Sequence, residues 1–254
     1  MRTSSVDALV LRTYRYGEAD QIVVFLTEDR GKKRGVAKNA TKSRRRFGGA
    51  LEPLTHGRAT FVERERRELV RLDRIEPKRS ALRAGAGRPA DVAAHALGHA
   101  AYFAELIDAW VPDDAPNPRV FRLGLAVGQA LETAASVDAL ARYFEYWLLR
   151  LEGVYPAIDR CPRCARGLAD GAVLVVGERT YVCEVCGHGG PRLSPAAMAF
   201  LRQAGRRTPL VMSAAGTPPT VLRELEDAHD RLLTAHLEKE LRSARVVREL
   251  RPQL

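Results

Sequence analysis

The chain carries four cysteines, set as Cys161-x-x-Cys164 and Cys183-x-x-Cys186 with eighteen residues between the pairs. Two residues between cysteines let a tight turn aim both thiolates at one ion, and a second such turn closes a tetrahedral shell. The pattern predicts one structural zinc on Cys161, Cys164, Cys183 and Cys186, standing in for a hydrophobic core over roughly thirty residues. Two disulfides are the competing assignment. They need an oxidising compartment, whereas Met1-Arg2-Thr3-Ser4-Ser5 opens the chain with no secretory pattern, so reduced thiols and zinc are expected. A deaminase-type catalytic zinc is excluded, because it needs His-x-Glu followed by Pro-Cys-x-x-Cys. Neither pair here has Pro directly before its first cysteine, and His236-Leu237-Glu238 follows both. A closed four-thiolate shell is architecture, so the activity must lie elsewhere.

Charge points to where. The formal net charge is +10, and residues 1–80 hold 20 lysines and arginines against 11 acidic residues, which accounts for nearly all of it. No acidic residue occurs between Arg30 and Leu51, where Lys32, Lys33, Arg34, Lys38, Lys42, Arg44, Arg45 and Arg46 crowd together with Phe47. Such a field suits a polyphosphate partner, although basic runs are often only solvated loops. Among the aromatics of this region, Phe25 and Phe61 are expected in the core. Phe47, Tyr14 and Tyr16 are the candidates for stacking on bases.

Three kinds of segment must position these groups. Residues 1–80 read as all-β: Val6–Leu11, Gln21–Thr27, Arg34–Ala37, Arg58–Val62 and Glu68–Leu72 are rich in β-branched and aliphatic residues, with a break at Gly17-Glu18-Ala19-Asp20. Five short strands match an OB-fold barrel, and an SH3-like barrel has a similar count. Residues 81–155 switch to helical spacing, as in Phe144, Trp147, Leu148 and Leu151, and predict a helical bundle. Residues 156–192 form the cysteine module, with a hairpin punctuated by Gly167, Gly171 and Gly177. Residues 193–254 give further helices that pack on the bundle, with starts expected at Ser194-Pro195 and Thr217-Pro218. The expected fold is therefore α+β and multidomain: N-terminal OB-fold β-barrel, α-helical bundle and a four-cysteine zinc-finger module.

With 46% hydrophobic residues the chain can bury a sizeable core. No apolar run reaches the roughly twenty residues of a membrane span, so a cytoplasmic protein with no membrane association is expected. No enzyme is expected either: there is no Gly-x-x-x-x-Gly-Lys loop and no nucleophile motif, and Asp113-Asp114 reads as a loop pair.

Gly17-Glu18-Ala19-Asp20, Gly31, Val36-Ala37-Lys38 and, above all, Arg46-Phe47-Gly48-Gly49-Ala50-Leu51-Glu52-Pro53 resemble the N-terminal domain of the RecO family of bacterial recombination mediators. The resemblance continues through Gly153, Pro156-Ala157-Ile158-Asp159-Arg160-Cys161, His236-Leu237 and Leu241-Arg242-Ser243, in order and over nearly the whole chain. It departs at the first knuckle. Family knuckles often place glycine straight after the second cysteine, where a left-handed backbone turns amides toward sulfur; Cys186-Gly187 complies and Cys164-Ala165 does not.

The resemblance implies an OB domain, a helical domain and a zinc module, and a nucleoid-associated role. It also implies binding of single- and double-stranded DNA, annealing of complementary strands, and recombinase loading onto strands coated by single-stranded DNA-binding protein. Its implied partners are RecR and the acidic, apolar-ended C-terminal tail of that coating protein, for which Arg119, Arg122 and Arg142 are possible anchors. The competing reading is a zinc-ribbon RNA-binding adaptor of translation or transcription.

Overall fold

The aliphatic run Val6–Leu11 is the centre of a longer strand, β1 (Arg2–Tyr16), followed by β2 (Asp20–Thr27), β3 (Lys32–Ala37), β4 (His56–Glu63) and β5 (Val70–Arg79). The computed structural model describes residues 2–63, 68–238 and 241–251. Glu68 and Leu69, expected to open the last of these strands, precede it. β1 pairs antiparallel with both β2 and β4, β2 with β3, and β4 with β5, while β3 and β5 run parallel. The order β1-β2-β3-β5-β4 thus returns to β1.

Alternate residues of these strands, among them Val10, Val23, Phe25, Phe61 and Leu72, form one core. The Phe25 and Phe61 rings meet edge to face at 5.5 Å, as expected of core aromatics. Their neighbours Leu9, Leu11, Val24 and Leu26 are buried as well. Both faces are covered, and for that reason the sequence shows aliphatic runs rather than strict alternation.

The helices are α1 (Arg44–Phe47), α2 (Ala90–Trp110), α3 (Pro118–Leu131), α4 (Val137–Leu151), α5 (Pro195–Ala204), α6 (Pro209–Ser213), α7 (Pro219–Leu237) and α8 (Arg242–Glu249). The chain divides into two compact units, Met1–Glu132 with Leu241–Leu254, and Thr133–Glu240. The expected helical segment 81–155 is therefore shared between the units at residue 132.

In the first unit α2 and α3 pack on β1. Gly124 of α3 lets the helix approach closely, since a Cβ would come within 2.7 Å of Leu9 Cδ1. Asn117 caps α3 by accepting the Val120 amide at 3.1 Å, and Pro118 takes the first helical position. The later helix α8 packs on α2: the Arg242 and Ser243 amides donate to the Glu105 carboxylate at 3.2 and 2.8 Å, and Val247 sits over Gly98.

In the second unit a three-stranded sheet, β6 (Ala172–Val175), β7 (Thr180–Val182) and β8 (Arg192–Leu193), has the order β7-β6-β8. Ser136 and Ser194 cap α4 and α5, each accepting the amide of the third residue on. α7 starts one residue later than Thr217-Pro218 suggests. Pro218 precedes Pro219, which forces Pro218 to an extended ψ of 143° and moves the helix start to Pro219.

Candidate nucleic-acid interface and thiolate centre

The basic interval divides into two groups with opposite environments. Lys32 is 5% exposed. Its Nζ donates to the Asp108 carbonyl at 2.6 Å and pairs with the Asp108 and Asp113 carboxylates, each at 3.2 Å. Lys33 Nζ lies 2.7 Å from both Glu63 and Asp114. Burial works against its charge, but those two carboxylates raise its pKa above the ordinary value. Arg34 reaches Asp113 at 3.1 Å. These three clamp β3 to the carboxylates of α2 and the loop after it, so Lys32 and Lys33 are structural rather than surface cations, a correction to the sequence reading. Asp113, expected as half of a loop pair, stays exposed in that loop and is one end of the clamp.

Removing one member of a buried pair leaves the other charge unpaired, which costs about 3–5 kcal/mol, here reduced because Arg12 also contacts Asp108. Lys32→Ala is expected to lower the urea unfolding midpoint by an amount equivalent to about 2–4 kcal/mol. Single-strand affinity of the folded variant is expected to stay unchanged; a fall in affinity at unaltered stability would return Lys32 to the binding surface.

Lys38, Lys42, Arg44 and Arg45 are exposed, and among the described residues none lies within ion-pair distance of a carboxylate. They occupy the β3–α1 loop and α1. That loop is tied to the Gly17-Glu18-Ala19-Asp20 turn: the Asn39 amide donates to Asp20 Oδ1 at 2.7 Å and the Thr41 amide to the Ala19 carbonyl at 3.2 Å. Arg46 is half-buried; its Nε donates to Ser43 Oγ at 3.0 Å and its guanidinium lies 5.1 Å from the Phe47 ring centre. Phe47 itself is 3% exposed and belongs to the core of the five-stranded sheet. The one-turn helix points its apolar residue inward and Arg44 and Arg45 outward, so Phe47 offers no ring face to a base. That corrects its expected stacking role.

A depression of about 770 Å³ opens beside this loop, lined by Tyr16, Asp20, Lys38, Arg46, Val70 and Arg71 among others. A second, of about 710 Å³, takes Arg45, Arg46 and Arg74. Arg46 borders both. Tyr16, half exposed, is the aromatic that lines the first. Arg71 and Arg74 were missed in the sequence because Asp73 and Glu76 neutralise them on paper. In the structure each pairs with its neighbour, at 2.8 and 3.0 Å, yet remains more than half exposed.

In the second unit the four cysteines come together, with all sulfurs within 4.8 Å of one another and Cys164 Sγ 3.5 Å from Cys183 Sγ. An ion about 2.3 Å from each sulfur sets tetrahedral sulfurs about 3.8 Å apart, so the donor set and its size fit zinc. The 3.5 Å separation far exceeds a disulfide bond of about 2.05 Å. Burial raises the Cys161 thiol pKa, but the amides of Cys183, Arg163 and Cys164 aimed at its sulfur outweigh that and bring it down to about 6. Cys186, hydrogen-bonded to the Cys164 and Cys183 thiols, is pushed up to about 12. Arg163 ties the knuckles together, donating to the Cys186 carbonyl and to Glu178, both at 2.7 Å.

The glycine rule is inverted here. Ala165, not a glycine, takes the left-handed turn of the first knuckle at φ 59°, with its amide donating to the Cys161 carbonyl at 2.8 Å. Gly187 is absent from the left-handed set. Its Cβ would meet Val182 Cγ2 at 2.5 Å and Val173 Cβ at 2.8 Å. Space, rather than conformation, demands glycine at 187. Ala165→Gly removes a left-handed penalty of about 1 kcal/mol and is expected to raise the melting temperature by roughly 2–4 °C; an unchanged or lower value would show that the turn is not strained.

A buried polar chain joins this module to the helices of its unit. Arg142 Nη2 donates to Glu145 Oε1 at 2.8 Å, and His229 Nδ1 donates to Glu145 Oε2 at 2.9 Å. His229 Nε2 is then left to accept the Tyr155 hydroxyl at 2.9 Å, and Tyr155 approaches the Tyr181 hydroxyl at 3.4 Å. Tyr181 lies on β7, just ahead of Cys183. Arg142 is 4% exposed, so it is no surface anchor; Arg119 and Arg122 are exposed.

Burial lowers the His229 pKa, which Glu145 only partly offsets. The folded state keeps this imidazole neutral while the unfolded chain protonates it, so the stability is present above about pH 6.5 and is lost as pH falls below it. The urea midpoint is expected to drop between about pH 7.5 and 5.5, and to drop much less in His229→Gln; equal drops would exclude His229 as the source.

A family model described as recombination protein O N terminal matches residues 1–81, and one described as recombination protein O C terminal matches residues 93–245. A protein of Koribacter versatilis named DNA repair protein RecO is 48% identical over 65% of each chain, so the match spans just under two thirds of that relative. Proteins of the same name from Anaeromyxobacter dehalogenans (strain 2CP-1) and Geobacter sulfurreducens are each 35% identical. They cover 100% and 97% of this chain, and 99% and 98% of their own lengths. The order of strands, helices and cysteines and these matches along the whole length lead to one conclusion: the chain belongs to the RecO family.

Proposed function

We propose that the protein is a non-enzymatic DNA repair mediator that binds DNA through an OB-type barrel and anneals complementary strands. In this reading it works with RecR to load recombinase onto strands coated by single-stranded DNA-binding protein, whose acidic tail it also engages, and it acts at the nucleoid in the cytoplasm. The observation that carries the reading is the set Lys38, Lys42, Arg44 and Arg45, exposed, without carboxylate partners among the described residues and held beside a depression that Tyr16 lines. The strand order with its single parallel pair, β3 with β5, supports the OB assignment. The depression lies by the β1–β2 turn, one of the places where such barrels take single strands. Family membership weighs against the RNA adaptor, and no helix among the described residues is long and apolar enough to cross a membrane.

Annealing makes no covalent bond. It requires that phosphate repulsion be neutralised while bases remain free to pair. Exposed lysines and arginines on a tethered loop meet the first need by displacing counterions. With Phe47 in the core, Tyr16 and Tyr14 remain as stacking platforms, few enough to leave the bases available. Zinc, when bound by Cys161, Cys164, Cys183 and Cys186, supplies structure alone, since four thiolates leave no open position.

The direct test is the pairing rate of complementary oligonucleotides, bare and then coated by single-stranded DNA-binding protein. Acceleration of both supports the mediator. Binding without acceleration on either substrate would reduce the protein to a simple DNA-binding module.

A further inference from the structure

The second unit carries a basic cluster of its own. Arg202, near the end of α5, and Arg206 and Arg207, just beyond it, line a groove of about 290 Å³ with Ala199 and Gln203. Arg150 of α4 joins them. Its guanidinium sits 5.6 Å from the Tyr146 ring centre and 5.5 Å from that of Trp147, and a Cβ on Gly205 would lie 3.5 Å from its Nη1. The Tyr146 hydroxyl accepts from Arg150, and Trp147 Nε1 donates to the Ala204 carbonyl at 3.0 Å, which fixes this corner. Among the described residues none of the four arginines lies within ion-pair distance of a carboxylate.

A helix C-terminus attracts a cation to its last turn, and Arg202 alone satisfies that. Arg206 and Arg207 lie past the helix end, and Arg150 is held on a different helix by two aromatic rings. Four guanidinium groups without counter-charges repel one another unless a polyanion joins them. Guanidinium forks match phosphate oxygens, and the stacked Arg150 loses little freedom in binding. The groove walls are arginine stems and the methyl of Ala199, with no aromatic or branched aliphatic pocket to anchor a peptide side chain.

We propose that this cluster is a second phosphate-binding surface for a nucleic-acid strand, so that each unit of the chain holds one strand during pairing. The inference rests on the annealing reading above and deepens it by naming where the second strand is held.

The test uses the full chain with Arg202→Glu, Arg206→Glu and Arg207→Glu combined, and the matching triple glutamine variant as a folding control with unaltered melting temperature. Titration with a short non-complementary oligonucleotide at low salt is expected to show two strands per wild-type chain and one per variant. The second event of the wild type is expected to carry a log–log salt slope of about −2 from its three phosphate contacts, and to be missing from the variant. Annealing is expected to slow by at least roughly tenfold while first-strand affinity changes less than about twofold. Two strands bound by the variant at wild-type pairing rate would overturn the proposal. So would release of an acidic polyglutamate probe with nucleic-acid binding intact, which would assign the groove to a peptide. Failure of the barrel reading is distinguishable, because it shows as first-strand binding that survives Lys38→Glu, Arg44→Glu and Arg45→Glu.

Discussion

Replacing Lys38, Lys42, Arg44 and Arg45 together by alanine is expected to weaken single-strand binding by roughly 30- to 1,000-fold at low salt and to slow strand pairing in step. Each exposed charge contact contributes about 0.5–1 kcal/mol, which makes about 2–4 kcal/mol in all. Four contacts also set a log–log salt slope of about −3 on single strands, which the variant is expected to lose. Fluorescence anisotropy of a labelled oligonucleotide across a salt series measures both quantities. The fold is expected to be untouched, since these side chains are exposed and have no carboxylate partner among the described residues. Arg46 is left in place on purpose: its bond to Ser43 and its contact with Phe47 make it part of the loop's own architecture. If the quadruple variant binds and anneals as the wild type does, the β3–α1 loop is not the DNA surface.

Cys161→Ser is expected to empty the thiolate centre of metal and to lower the melting temperature by roughly 10–20 °C. A structural zinc contributes on the order of 10 kcal/mol to the fold around it, and the loss of about 5 kcal/mol suffices for a shift of that size. The effect is expected to travel beyond the knuckle. Cys161 is buried and its amide donates to the Arg166 carbonyl at 2.8 Å, so the knuckle backbone closes around this residue. Tyr181 leads from the neighbouring hairpin into the chain of Tyr155, His229 and Glu145. Metal content by atomic absorption and melting by circular dichroism provide the check, with chelation of the wild type as a second route. Bare-strand affinity at the basic loop is expected to remain within about threefold, because the thiolates and that loop belong to different compact units. A metal-free variant with the wild-type melting temperature would sink the structural role.

What the sequence made legible was whatever depends on near neighbours. The cysteine spacing gave a cluster because each knuckle closes through its own backbone, and the aliphatic runs located every strand of the five-stranded sheet to within a few residues of its centre. Ser194 before Pro195 marked a helix start for the same reason. The rest depended on partners far along the chain. Lys32 looked like Lys38 because its carboxylate, Asp108, lies 76 residues away. Arg142 looked like a surface anchor because His229, the other partner of Glu145, lies 84 residues from that carboxylate. A signal was present in the second case: Arg142 and Glu145 stand one turn apart, at a spacing that lets opposite charges pair on one helix face. Phe47 failed differently, since a single helical turn can aim its one apolar residue either way and only the core behind it decides.

The path of the chain through its two units has a consequence for biosynthesis. Because α8 returns to pack on α2, the second unit is spliced into the first, and the ribosome delivers all of it before the closing helix exists. The nascent sheet and α2 must therefore wait, with the seat of Val247 uncovered, while the whole of Thr133–Glu240 is translated. At about 5–20 residues per second that is on the order of ten seconds, an interval in which a chaperone or a premature stop would find the face of Gly98 open.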